Sequence, residues 1–305
     1  MRFLAFLMIF LGSFPLMGQY RTQLIPRSSP DKLIYQKVGY TDIEITYGSP
    51  KVKGRKIWGE LVPIDQIWRC GANEATTVYF SDDVEIENQP LAKGRYALFM
   101  IPKLKGPWVI IFNRIYDQWG SYSYKEEFDV LRVSVTPDYQ SKFTEDLLYR
   151  IEQLDFQKAK IRFDWEDITL NIKVATKFQS NLAKTLEEEL EKSSEETHWV
   201  VYLQAAEFLI EHDLGIDQAL SWLESSEKLS YVNASEWSNQ FYPIEFIKGH
   251  LYWTFAKAYA LKKDYGTALK YANQLKEIEG EETFYNWENE AENIDTTISE
   301  WTRLN

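Results

Sequence analysis

"DITLNIKVATKFQSNLAKTLEEELEKSSEE", residues 167–196, changes grammar in its middle. The first nine residues read as a strand, with apolar and polar positions alternating at period two. From Lys177 the alternation stops, and "FQSNLAKTLEEELEKSSEE" reads as a polar helix able to act as a semi-rigid connector. Charge changes at the same place. Residues 19–175 carry 22 Lys+Arg against 22 Asp+Glu, whereas 176–305 carry 11 against 24, a net −13. A chain of 305 residues is long for one core. The two shifts together predict an α+β two-domain protein: an antiparallel β-sandwich over 34–175, a connector helix over 176–197 and an all-α domain over 198–305.

Upstream of the switch, strand follows strand. "DIEITY" (42–47), "TTVYF" (76–80), "RYALFMI" (95–101), "WVIIF" (108–112), "DVLRVSV" (129–135), "LLYRIEQLDF" (147–156) and "AKIRFDW" (159–165) are short and bounded by turn formers. That density predicts a sandwich or barrel. "KLKGP" (103–107) and "WEDI" (165–168) read as hairpin connections. Neither a phosphate-binding glycine loop nor alternating strand–helix order is present, which argues against a nucleotide-binding α/β fold and its cofactors. Residues 19–33, with Pro26, Ser28, Ser29 and Pro30, read as an irregular leader.

Before the leader, Arg2, the apolar Phe3–Leu11 run and Leu16-Met17-Gly18 have the form of a secretory signal peptide over 1–18. Export to the periplasm or beyond is therefore expected, with cleavage near Gly18 or retention of the segment as an anchor. No stable membrane span is expected after cleavage. Cys70 is the one cysteine, so an internal disulfide is excluded and burial as an inert thiol is expected. An acidic exported chain is a poor partner for nucleic acid.

Downstream, the apolar spacing turns helical and two segments resemble each other, "VVYLQAAEFLIEHDLGIDQALSWLESSEKL" (200–229) and "LYWTFAKAYALKKDYGTALKYANQLKEI" (251–278). The second resembles a tetratricopeptide repeat, a helix–turn–helix unit of about 34 residues. Tyr252, Phe255, Ala256 and Tyr259 fall on its first helix, and Ala268, Ala272 and Leu275 on its second. In the first segment Ala205, Phe208, Ala219 and Leu223 match, with a longer turn. An aromatic insert (231–246) separates the two, and "FYNWENEAENIDTTISEW" (284–301) reads as a capping helix. At inward-facing repeat positions stand Trp199, Tyr202, His250, Trp253 and Lys257, a stripe that fits either core or a protein or peptide partner.

Positions 26–175 resemble the domain-of-unknown-function family 2911, found in exported proteins of gram-negative bacteria. The likeness rests on "KGRKIWGELVP" (53–63), "WRCGANEAT" (68–76), "LAKGRYALFMIP" (91–102), "IFN" (111–113), "QWGSYSY" (118–124) and "DVLRVSV" (129–135). Members often have Thr where this chain has Cys70, which argues against a required thiol. The family has no established activity, so the resemblance implies fold and export and transfers no catalytic residue.

All three histidines lie in the helical part, so histidine-based triads and zinc sites have no donors in the β-domain, and no metal site is expected. What remains is a polar set of Arg55, Arg69, Asn73, Glu74, Thr76, Asn113, Gln118 and Trp119, with Trp58, Trp68, Tyr122 and Tyr124 near in sequence. Guanidinium and amide groups flanked by aromatic faces suit a sugar, a peptide end or a carboxylate. The opposing reading is structural, with Gly71-Ala72-Asn73 as a turn, Arg69 and Glu74 paired across it and the tryptophans in the core. Two function classes follow. One is a non-catalytic binding or scaffold protein. The other is a hydrolase of envelope or nutrient polymers using Glu74 as acid or base, with Asp65, Asp117 or Asp129 as a second carboxylate.

Overall fold

The computed structural model describes residues 26–241, 244–278 and 290–305. The signal segment, residues 19–25 of the leader and the start of the expected capping helix lie outside them. The chain divides between Thr176 and Lys177 into two compact units, the first β and the second α.

The β-unit has eleven strands: β1 (Asp31–Val38), β2 (Thr41–Gly48), β3 (Ala72–Phe80), β4 (Val84–Ile86), β5 (Gln89–Leu91), β6 (Gly94–Ile101), β7 (Trp108–Asn113), β8 (Asp129–Val135), β9 (Thr144–Gln153), β10 (Lys158–Glu166) and β11 (Ile168–Thr176). They form two antiparallel sheets, ordered β1-β2-β3-β6-β7-β8 and β5-β4-β11-β10-β9. Alternation places Ile43 and Ile45 of β2, Val78 and Phe80 of β3, and Ile161 and Phe163 of β10 in one shared core. At its centre Trp58, from the long β2–β3 connection, meets Trp108 at 4.8 Å between ring centroids and Trp68 at 5.7 Å, while Trp68 stacks on Trp165.

β1 corrects the sequence reading, which ended the irregular leader at residue 33. The strand starts at Asp31 and pairs along its whole length with β2 through the two-residue Gly39–Tyr40 turn, where Gly39 has φ 58°. Its outward Leu33 and Tyr35 are exposed and its inward Ile34 is half-buried, so the apolar alternation is masked. The hairpin of β4 and β5 was also missed. Its strands have three residues each, and its turn uses Glu87 and Asn88, both left-handed, where Gly is usual.

On the outer face of β10, the Asp164 carboxylate accepts hydrogen bonds from Arg150 (2.7 Å), Arg162 (2.9 Å) and Thr169 (2.6 Å). Burial pushes this carboxyl up, but the hydrogen bonds from Arg162 and Thr169 and the two arginine charges outweigh it and hold Asp164 below the usual range. A carboxyl depressed by folding stabilises the protein above its unfolded pKa, about 3.9, and that contribution disappears as pH falls through the native value. The stability gap between wild type and Asp164→Asn should therefore be widest near neutrality and shrink below about pH 4. Urea titrations across that range test it, and a gap independent of pH contradicts it.

The α-unit contains α1 (Phe178–Lys192), α2 (His198–Glu211), α3 (Ile216–Phe241), α4 (Ile244–Leu261), α5 (Tyr265–Lys276) and α6 (Glu290–Leu304). α2 packs on α3 and α4 on α5, as two helical hairpins. Fully buried Ala256, Ala268 and Ala272 let α4 and α5 approach closely, and Asp264 caps α5 by accepting from the Thr267 N–H at 3.0 Å. Two readings change. The segment taken as a connector buries Phe178, Leu182 and Leu186, an i, i+4, i+8 stripe, and packs on α2 as part of this unit. The supposed insert after residue 230 continues α3 to Phe241.

Candidate functional site

Trp68 pairs with Met100 of β6 through two backbone hydrogen bonds, and the chain then loops out before entering β3. Cys70 and Asn73 both have left-handed backbone, at φ 59° and 64°, and so turn the chain twice. The loop is closed by the Thr76 N–H to the Arg69 carbonyl (3.2 Å) and by the Thr76 and Tyr149 hydroxyls, each donating to the Cys70 carbonyl at 3.0 Å. Beyond the loop, the start of β3 lies between Gly48 of β2 and residues 118–120. Glu74 bridges Trp119, and the Ala75 N–H donates to the Gln118 carbonyl at 3.0 Å.

The Cys70 side chain points into the core and is fully buried. Burial pushes its thiol well up, against the opposing effects of Tyr149 and the Arg69 charge. A disulfide reagent at neutral pH should therefore label the folded protein at least 100-fold more slowly than the urea-unfolded chain. Equal rates would contradict the burial.

A cleft of about 390 Å³ opens beside this loop, lined among others by Arg27, Asp31, Glu74, Thr77, Asp117 and Gln118. Glu74 does not pair with Arg69, as the sequence reading allowed. Its carboxylate is held by Arg27, from the leader, in a bidentate ion pair with Nη1 at 2.5 Å and Nη2 at 2.7 Å. The same guanidinium reaches Asp31 at 2.9 Å and stands 6.0 Å from the centre of the Trp119 ring, which is 44% exposed. The leader is pinned here by its main chain as well. The Ser29 carbonyl accepts from Asn73 Nδ2 at 3.0 Å, and the Pro30 carbonyl from the Ser49 N–H at 2.8 Å. Gln118 is only 8% exposed. Its Nε2 donates to the Ile115 carbonyl, while its Oε1 has no hydrogen-bond partner among the described residues.

Of the eight residues read as a ligand set, Asn73, Glu74, Gln118 and Trp119 come together here. Thr76 is buried and locks the loop. Arg69 is half-buried, with an Nε that has no hydrogen-bond partner among the described residues. Arg55 lies apart and donates to the Val52 and Lys51 carbonyls of its own turn. Asn113 is buried, donating to Asp129 (2.7 Å) and to the Lys125 carbonyl, and Asp129 also accepts from Tyr124 and Arg132. Asp65 is ion-paired with Lys103. Trp58 and Trp68 belong to the core and Tyr122 is exposed. Arg27 and Asp31 were missed. Charged residues inside a proline- and serine-rich stretch were the only signal.

In the α-unit the aromatic stripe is divided. Trp199 and Trp253 are buried, Trp253 stacking on Trp301 at 5.4 Å. Tyr202, His250 and Lys257 are half-buried. His250 meets Glu207 at 2.5 Å, and Lys257 lines a groove of about 350 Å³ with Leu261, Trp301 and Leu304. Among the described residues no group of three or more His, Cys, Asp and Glu is placed to hold a metal ion, and no helix is long and apolar enough to cross a membrane.

The class these features define is an α+β two-unit protein with a cleft beside β2 and β3 of its β-sandwich, in which charged side chains stand among apolar surface. Residues 29–174, the sandwich itself, match the family described as "Protein of unknown function (DUF2911)", as the motifs of 53–135 led one to expect. The match covers none of the α-unit. No curated protein and no solved structure matches the chain.

Proposed function

We propose that this is an exported, non-catalytic binding protein whose β-unit takes a polar ligand in the cleft beside Glu74. The observation that carries this reading is one opening lined by Arg27, Glu74, Asp117 and Gln118, with Trp119 and Asn73 beside it, the first bridged to Glu74 and the second bonded to the leader main chain, and with a Gln118 Oε1 that is buried and has no hydrogen-bond partner among the described residues. A hydrolase is less well supported. Both oxygens of Glu74 are engaged by a guanidinium, and Asp65 and Asp129 are tied into separate ion pairs, which leaves Asp117, in the cleft lining, as the second carboxylate such an enzyme would use. Export rests on the charged and apolar pattern of residues 1–18 and on the family resemblance. The α-unit extends the reading toward a scaffold. The apolar spacing of 251–278 resembles a tetratricopeptide repeat, and the half-exposed Tyr202, His250 and Lys257 are the groups through which the unit would meet a protein or peptide partner.

A thermal-shift series on the full chain tests the cleft, using disaccharides, dipeptides, dicarboxylates and guanidinium compounds as probes. At least one class should raise the melting temperature of wild type and lose that effect in Glu74→Gln and Trp119→Ala. A series without any shift, or turnover of the probe that binds, would overturn the reading.

A further inference from the structure

We propose that the cleft recognises the guanidinium of an arginine-bearing peptide segment, and that Arg27 of the chain's own leader is its resident competitor. The inference rests on the binding reading above and names its ligand class.

The contacts of Arg27 show what chemistry the site takes. Two N–H groups meet the two oxygens of Glu74, a fork-on-fork match that a planar guanidinium makes and an ammonium does not. A half-exposed indole lies beside the cation, and Asp31 and Asp117 add negative charge to the cleft wall. The site also grips main chain, through Asn73 Nδ2 on the Ser29 carbonyl and the Ser49 N–H on the Pro30 carbonyl. An extended peptide offers both features at once, whereas a sugar or a free carboxylate offers neither. Gln118, which lines the same cleft, has a buried Oε1 with no hydrogen-bond partner among the described residues. The resident contact is an exposed ion pair, which a ligand entering from solution can displace.

The test is calorimetric titration of the full chain with N-acetyl-arginine amide, its neutral isostere N-acetyl-citrulline amide, and N-acetyl-lysine amide. Arg27→Ala should bind the arginine probe about tenfold more tightly than wild type, because an intramolecular competitor has been removed. Arg27→Gln, which keeps side-chain length, should do the same. Citrulline and lysine probes should bind at least tenfold more weakly than arginine to both variants, and Glu74→Gln in the Arg27→Ala background should abolish arginine binding. Equal affinity of wild type and both Arg27 variants for the arginine probe, or citrulline binding as well as arginine, would overturn the proposal. If a disaccharide or dicarboxylate binds at Trp119 while the arginine probe does not, the cleft remains a binding site and only its assignment to arginine fails. If no probe binds any variant, both readings fail.

Discussion

Gly48→Ala is expected to destabilise the β-unit by about 3 kcal/mol, lowering its melting temperature by roughly 6–12 °C. A Cβ at this position would stand 2.3 Å from the Ala72 carbonyl oxygen and 2.9 Å from its carbon. Both partners are backbone, so neither can swing aside. Gly48 pairs with Ala72 just beyond a register shift in β2, where the two strands approach closely and the left-handed Asn73 follows. To admit a methyl group the strands must part, which would break the pairing and move the leader contact made by Asn73. Gly54→Ala is the control. Its φ of 65° disfavours a side chain, but nothing lies within 4 Å of the added atom, so about 1–2 kcal/mol is expected. Calorimetric melting of both variants decides the matter. Equal effects would mean that the close approach at Gly48 is not a constraint.

Trp108→Ala is expected to cost about 3–5 kcal/mol. The ring is 1% exposed and packs edge-on against Trp58. Its Nε1 donates to the Lys103 carbonyl at 2.9 Å, tying the β6–β7 hairpin to the core. Truncation removes the ring, opens a cavity among aromatic neighbours that cannot collapse into it, and takes away that donor. Trp165→Phe separates packing from polarity. Trp165 is equally buried and stacks on Trp68, but its Nε1 has no hydrogen-bond partner among the described residues, so a smaller ring loses no polar contact. A cost below about 1.5 kcal/mol is expected there. Denaturant midpoints with unchanged slopes are the measurement. A Trp165→Phe effect as large as that of Trp108→Ala would show that ring size, and not position in the cluster, sets the penalty.

Most of the sandwich was legible because its strands bury one face. β-branched and aromatic residues alternate in "DIEITY", "TTVYF" and "DVLRVSV", and each lies in a strand. β1 was hidden because both of its faces carry apolar side chains, with Leu33 and Tyr35 outside. The connector reading failed for a related reason. Fifteen residues rich in Glu and Lys conceal three apolar positions at helical spacing, and three are enough to dock a helix. Half of the ligand set was legible because Asn73 and Glu74 are adjacent and residues 118–120 pair with them in register. The Arg69–Glu74 pair failed because proximity in sequence says nothing about direction when Cys70 and Asn73 are both left-handed. Arg27, 47 residues from Glu74, reaches it only because β1 pairs with β2 and brings the leader back over β3. No local pattern carries that information.

The tryptophans of the β-unit also divide the molecule optically. Trp58, Trp68, Trp108 and Trp165 have ring centroids within about 6 Å of a neighbour. Excitation of any one is shared among them, so the cluster should emit in the blue, with low anisotropy and a strong near-ultraviolet dichroism. Trp119 stands outside that cluster, half in solvent and beside a cation, and should contribute a red-shifted, quenchable band. The difference spectrum between wild type and Trp119→Phe isolates that band. It gives a signal native to the protein for whatever enters or leaves the cleft, while the cluster reports separately on whether the sandwich is folded.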